Sequence, residues 1–148
     1  MKFNSPVGIG ILGCGNISGI YLKNLPQFPW IKILQIADLN QELAQKNAEE
    51  HSIPKFGTLE DLLANPEISI VLHLTPPQGH FPLSLKCLDA HKSVYMEKPL
   101  SLSVSEGDQL LKKALQKNLR IGCAPDTFLG AGLQTCRKLM DDGWIGTP

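Results

Sequence analysis

Apolar and polar positions fall in blocks along this chain. Mostly apolar runs at Val7–Leu12, Ile31–Ala37 and Ile68–Leu74, the last broken only by Ser69 and His73, alternate with longer stretches in which apolar residues recur at helical spacing. The runs read as strands buried on both faces, the stretches between them as amphipathic helices. Shorter extended pieces are predicted at Ile53–Phe56, Ser93–Met96 and Leu119–Cys123. Helices are predicted over Ile17–Leu25, stopping before Pro26 and the connector Gln27-Phe28-Pro29-Trp30, and from the N-cap Asn40 to about Glu50. A short one follows the capping residues Thr58-Leu59-Glu60-Asp61 to near Ala64. Another runs from near Gly79 to about Ala90, with Pro82 in its first turn. Ser103-Val104-Ser105-Glu106 has the letters of a capping box for a helix reaching about Asn118, and Leu129–Asp142 reads as a last amphipathic helix.

Strand followed by helix, repeated without internal repeats or low-complexity segments, predicts an α/β fold. The expected form is a doubly wound parallel sheet with helices on both faces, one domain over residues 1–148. Ligands of such sheets bind beyond the carboxyl ends of the strands. Gly13, Asp38, Thr75 and Glu97 each fall just past such an end, so four polar features share one rim.

The first of them carries the most chemistry. Gly13-Cys14-Gly15-Asn16-Ile17-Ser18 follows the first strand directly and opens a helix. The turn needs a residue without a Cβ, hence Gly13. Close approach of backbone to a phosphate needs another, hence Gly15. The N–H groups at the helix start, around Asn16 and Ile17, then face an anion, which suits a dinucleotide pyrophosphate. Ser18 stands where the usual G-x-G-x-x-G/A pattern has its third small residue. Gly8, Gly10 and Gly13 fit the same letters, but that register would put the first two glycines inside the strand. Asp38 ends the second strand 20 residues after Ser18, the spacing at which a carboxylate accepts hydrogen bonds from a ribose diol. A carboxylate there repels the 2′-phosphate of NADP, and Leu39-Asn40-Gln41 offers no cation to offset it, so NAD is the expected cofactor over NADP.

Composition narrows the partners. With 14 Lys and Arg against 14 Asp and Glu the formal charge is zero, so nothing suggests nucleic acid or an anionic membrane. No apolar run approaches the ~20 residues of a membrane span, and Met1-Lys2-Phe3-Asn4-Ser5-Pro6 lacks a signal-peptide core. Cys14, Cys87, Cys123 and Cys136 lie far apart, the pattern of reduced thiols in a cytoplasmic protein. Cys14 sits at a helix start, which favours a thiolate. No two histidines have metal-ligand spacing, so hydride chemistry without a metal is expected.

Taken together, the glycine turn, Asp38, Thr75-Pro76 with His80, and Glu97-Lys98-Pro99 resemble the N-terminal Rossmann domain of the Gfo/Idh/MocA family of NAD(P)-dependent oxidoreductases. The resemblance covers essentially the whole chain. It implies that Lys98 lies beside the nicotinamide and the reacting carbon and is the catalytic residue here, that a cis bond often precedes the proline, and that the substrate is a sugar, inositol or related polyol. It further implies a C-terminal α/β domain, often carrying the oligomer interface, whose first strand should start near Trp144–Pro148. The chain is therefore expected to be a cofactor domain without its substrate domain, inactive alone and homo-oligomeric in full length. The cofactor-binding set under this reading is Gly13, Gly15, Asn16, Ile17, Asp38, Thr75, Pro76, His80, Glu97 and Lys98. Two other functions share the fold: a glycoside hydrolase that retains its NAD, and a non-catalytic nucleotide-responsive regulator.

Several residues also have plain structural readings. Lys98 could pair with Glu97 at the surface. Glu97 suits positioning backbone or ribose better than acting as a base. His80 has either a cofactor-side, orienting role or a simple first-turn one. His73, inside an apolar strand, reads as a satisfied core residue, and His51 and His91 as helix-end residues. Where many family members carry an Arg-Phe element this chain has Pro125-Asp126-Thr127-Phe128. Either Asp126 and Thr127 contact a polyol, or Asp126 caps the next helix.

Overall fold

The computed structural model describes residues 5–147; the sequence readings at Met1–Asn4 and at Pro148 lie outside them. Six parallel strands form one sheet in the order β3-β2-β1-β4-β5-β6. They are β1 (Val7–Leu12), β2 (Ile31–Ala37), β3 (Phe56–Gly57), β4 (Ile70–His73), β5 (Ser93–Glu97) and β6 (Ile121–Ala124). The helices are α1 (Ser18–Asn24), α2 (Gln41–Glu50), α3 (Leu59–Ala64), α4 (Pro77–Asp89), α5 (Val104–Gln116) and α6 (Ala131–Asp141). Strand order reverses between β1 and β4, which makes that junction the switch point. The expected doubly wound parallel sheet, a Rossmann arrangement, is the observed one.

The near-continuous apolar strands follow from burial on both faces. On one face Leu22 of α1 and Ala44 and Ala48 of α2 cover Ile9, Ile11 and Ile36. On the other, Leu62 of α3, Leu88 of α4 and Leu110 of α5 cover Val71, Val94 and Met96. Gly8 and Gly10 lie inside β1, where a Cβ would stand 2.1 Å from the Glu67 carbonyl oxygen and 2.9 Å from Leu62. Their glycines serve close packing, and the phosphate-turn register starts at Gly13.

Local signals set most helix starts. Asn40 accepts from the Leu43 N–H, and Thr58 and Asp61 complete a reciprocal capping box. Other boundaries differ from expectation. The extended piece at 53–56 pairs only at Phe56–Gly57, and β4 spans four residues, with Ile68 and Leu74 buried just outside its bounds. Helix α4 starts at Pro77, so Pro82 lies inside the helix and not in its first turn. A proline at the first helical position costs no donor, and Pro77 takes that place. Ser103 caps the Glu106 N–H, but the Glu106 carboxylate turns to the Leu102 N–H, leaving half a capping box. A 3-10 helix, Leu25–Gln27, holds Pro26, and a second, Asp126–Leu129, precedes α6, which begins at Ala131. No side chain caps either of those last two helices, so the capping reading of Asp126 is corrected. Trp144–Ile145 form a turn, and all of 125–147 is exposed.

Candidate dinucleotide site

The site is assembled from loops that leave the carboxyl ends of β1, β2, β4 and β5. Hydrogen bonds between neighbouring strands align those ends: the Leu74 N–H donates to the Leu12 carbonyl at 2.7 Å and the Gly13 N–H to that of Ala37 at 2.8 Å. Gly13 turns the chain with φ +101°, and a Cβ on it would stand 2.9 Å from the Leu74 carbonyl carbon and the Thr75 nitrogen. Only glycine fits on both counts. Gly15 is different: a Cβ there would meet nothing within 4 Å. Its backbone faces open space, the cradle a pyrophosphate needs. The Ser18 hydroxyl, buried, donates to the Gly15 carbonyl at 2.7 Å and closes the turn from beneath. Helical bonding starts with the Ser18 N–H on the same carbonyl at 3.0 Å, so the N–H groups of Asn16 and Ile17 precede it.

Asp38 organises this turn from the neighbouring strand. One carboxylate oxygen accepts the Cys14 N–H at 2.7 Å and the other the Asn40 N–H at 2.8 Å. Each oxygen retains a lone pair for a further donor. The same carboxylate corrects the thiolate reading of Cys14. That side chain is buried, and burial, with Asp38 nearby, pushes the thiol up to about 12. It stays protonated and unreactive.

On the other side of the switch point lie Thr75-Pro76 and Glu97-Lys98-Pro99. The Lys98–Pro99 peptide is cis, as the resemblance implies. Lys98 is exposed on the rim and makes no ion pair among the described residues. The surface pairing with Glu97 is thus not formed. Glu97 instead accepts the Tyr21 hydroxyl at 2.6 Å through one oxygen and the Lys98 N–H at 3.2 Å through the other. Burial and the bond to Glu97 push the Tyr21 phenol well above its ordinary range. Tyr21 thereby joins α1, which carries the glycine turn, to the end of β5. A pair 76 residues apart leaves no spacing signal in the sequence. Tyr21→Phe is expected to cost about 1–2 kcal/mol in urea unfolding, the range for a partly exposed bond to a charged acceptor. A double-mutant cycle with Glu97→Gln reads the coupling, and a value near zero would remove this link.

His80 is on α4 yet has no access to a ligand. It is 1% exposed, with both ring nitrogens on backbone carbonyls, those of Pro99 and Thr75. His73 is a satisfied core residue as read, between the Ser84 and Thr75 hydroxyls. Two concavities, of about 660 and about 500 Å³, lie elsewhere, one lined by Gln35, Phe56 and Asn65 and one by Pro6, Lys32 and Glu67. Neither contains the glycine turn or a rim carboxylate. The rim is an open shelf, and its chemistry outweighs the depth of those hollows.

A sequence model described as an oxidoreductase family with an NAD-binding Rossmann fold, Gfo/Idh/MocA, matches residues 7–124. Trans-1,2-dihydrobenzene-1,2-diol dehydrogenase of Danio rerio is 33% identical over 134 residues, 88% of this chain and 40% of its own. Myo-inositol 2-dehydrogenase of Thermotoga maritima is 23% identical over 141 residues, 95% of this chain and 42% of its own. The fold is that of biliverdin reductase from Synechocystis sp., solved with biliverdin and NADP+, at TM-score 0.86 and 24% identity over 94% of this chain and 44% of that one. The chain spans about two fifths of the length of the curated relatives it matches. No helix among the described residues is long and apolar enough to cross a membrane.

Proposed function

The chain belongs to the Gfo/Idh/MocA family of oxidoreductases, and on that premise we propose that its rim binds NAD for hydride exchange with a small polyol. The observation that carries the cofactor reading is the pairing of Gly15, whose backbone faces open space, with Asp38, which holds the same turn through the Cys14 N–H at 2.7 Å. The turn accepts the pyrophosphate, and the free lone pairs of Asp38 accept the ribose hydroxyls. Since biliverdin reductase holds NADP+ on this fold, the choice of NAD rests on Asp38 itself. Its negative charge opposes a 2′-phosphate, and no cation stands in Leu39-Asn40-Gln41 to offset it.

Bound at this rim, NAD would supply the hydride-transfer chemistry. Lys98, exposed on the rim and in no ion pair among the described residues, favours developing alkoxide character on a substrate hydroxyl. Glu97 orients the Lys98 backbone and is held by Tyr21, so it serves as a positioning group and not as a base. A dihydrodiol and an inositol both present vicinal hydroxyls, which supports a polyol or sugar as the substrate class. The rest of the substrate-facing wall belongs, in this proposal, to a second domain of the kind the relatives' greater length leaves room for.

Asp38→Ala tests the reading. Titration calorimetry should find NAD affinity down about 10- to 100-fold, the loss expected for bonds to a charged acceptor, with the gap between NAD and NADP narrowed. A variant that prefers NAD as strongly as the parent would exclude Asp38 as the selector.

A further inference from the structure

Thr75 is gripped from both sides by two buried histidines. His73 reaches its hydroxyl oxygen through Nε2 at 2.6 Å, and His80 reaches its carbonyl oxygen through Nε2 at 3.0 Å. The far nitrogens continue the chain in different directions. His73 Nδ1 meets the Ser84 hydroxyl on α4 at 3.0 Å, while His80 Nδ1 meets the Pro99 carbonyl at 2.5 Å. The two rings stand 5.2 Å apart and are 0% and 1% exposed. Gly79 permits the arrangement, since a Cβ there would stand 2.6 Å from the Thr75 hydroxyl oxygen. Neither imidazole can touch a ligand on the rim, yet together they tie the loop after β4 to the loop after β5.

We propose that His80 is a positioning residue that yokes Thr75 to Pro99, so that the Thr75-Pro76 and Glu97-Lys98-Pro99 loops form one rigid wall of the dinucleotide site, with His73 locking the Thr75 hydroxyl behind it. The inference rests on the dinucleotide reading of the rim. Its physical basis is the shape of the donor. An imidazole presents two nitrogens on opposite edges of a flat ring, and here each edge meets a carbonyl oxygen on a different loop. A carbonyl only accepts, so the ring holds both loops when each of its nitrogens carries a hydrogen, as in the imidazolium form. No other side chain of that size has this geometry: Gln carries its two N–H groups on one nitrogen. Lys98 is the neighbour of Pro99, so the yoke fixes where its side chain leaves the rim.

The test uses the 148-residue chain and NADH binding read by fluorescence. His80→Gln should stay folded by circular dichroism and raise the NADH Kd about tenfold, the weight of about one lost hydrogen bond. In His80→Ala, added imidazole should restore most of the affinity, whereas 1-methylimidazole, with one edge blocked, should not. Unchanged affinity in His80→Gln, or equal rescue by both compounds, would overturn the yoke and leave His80 a space filler. Backbone amide resonances of Thr75 and Lys98 give a reading that needs no cofactor: both should shift together in His80→Gln, with α2 unmoved. A shift at Thr75 alone overturns the yoke even where NADH binds. A parent protein that binds no NADH overturns the dinucleotide reading and with it the yoke's role there, while a joint shift would still sustain the mechanical link.

Discussion

Replacing Gly15 with valine is expected to leave the protein folded and to weaken NAD binding by at least about 100-fold. The two glycines of the turn separate two requirements that sequence alone runs together. At Gly13 the backbone is at φ +101° and a Cβ would press on Leu74 and Thr75, so any substitution there attacks the fold. At Gly15 a Cβ would meet nothing within 4 Å, so a substitution there is directed at whatever the open space is for. Valine fills the volume where the pyrophosphate approaches the backbone. Urea midpoints for Gly15→Val should therefore stay close to the parent's, with those for Gly13→Val well below both. NAD affinity unchanged in a folded Gly15→Val protein would reduce the motif to a turn.

A second large effect is on acid stability and comes from His73. The ring is 0% exposed, and burial, with the nearby His80 ring adding to it, lowers its pKa to about 3. In the unfolded chain the ordinary value is near 6.5. The folded state thus refuses a proton that the unfolded state takes up. The contribution from a neutral His73 is present in full above about pH 6.5 and is lost as pH falls from there toward about 3, at up to about 1.4 kcal/mol per pH unit. The carboxyls of Asp61 and Asp89 are held below their usual range by Thr58 and by Lys113, so their losses fall at more acidic pH. Between pH 6.5 and 4.5 the slope should belong largely to His73. Urea unfolding of His73→Gln across that window should give a visibly flatter dependence, whatever its absolute stability. An equal slope in parent and variant would move the acid sensitivity to another group.

The legible parts of the fold were those written in adjacent residues. The runs Val7–Leu12 and Ile31–Ala37 announce strands because a sheet covered on both faces makes them mostly apolar, with Lys32 and Gln35 the polar residues of the second, and Asn40 announces α2 because its cap is closed three residues away. Of the candidate site, the glycine turn and Asp38 were legible for the same reason: each marks the end of a strand. The rest depends on distant partners. Nothing near Tyr21 announces Glu97, and nothing near His80 announces the Pro99 carbonyl, because sheet order alone brings them together. Pro82 shows the limit of local rules, since Pro77 had already taken the position where proline costs least.

In the proposed reading the rim around the switch point holds the dinucleotide. Backbone amide shift mapping with added NAD tests it most directly. The expected result is saturable shifts confined to residues 13–18, 38–40, 75–80 and 97–100, with NADP giving the same map at higher concentration. Shifts centred instead on Gln35, Asn65 and Phe56, or none at all, would contradict it.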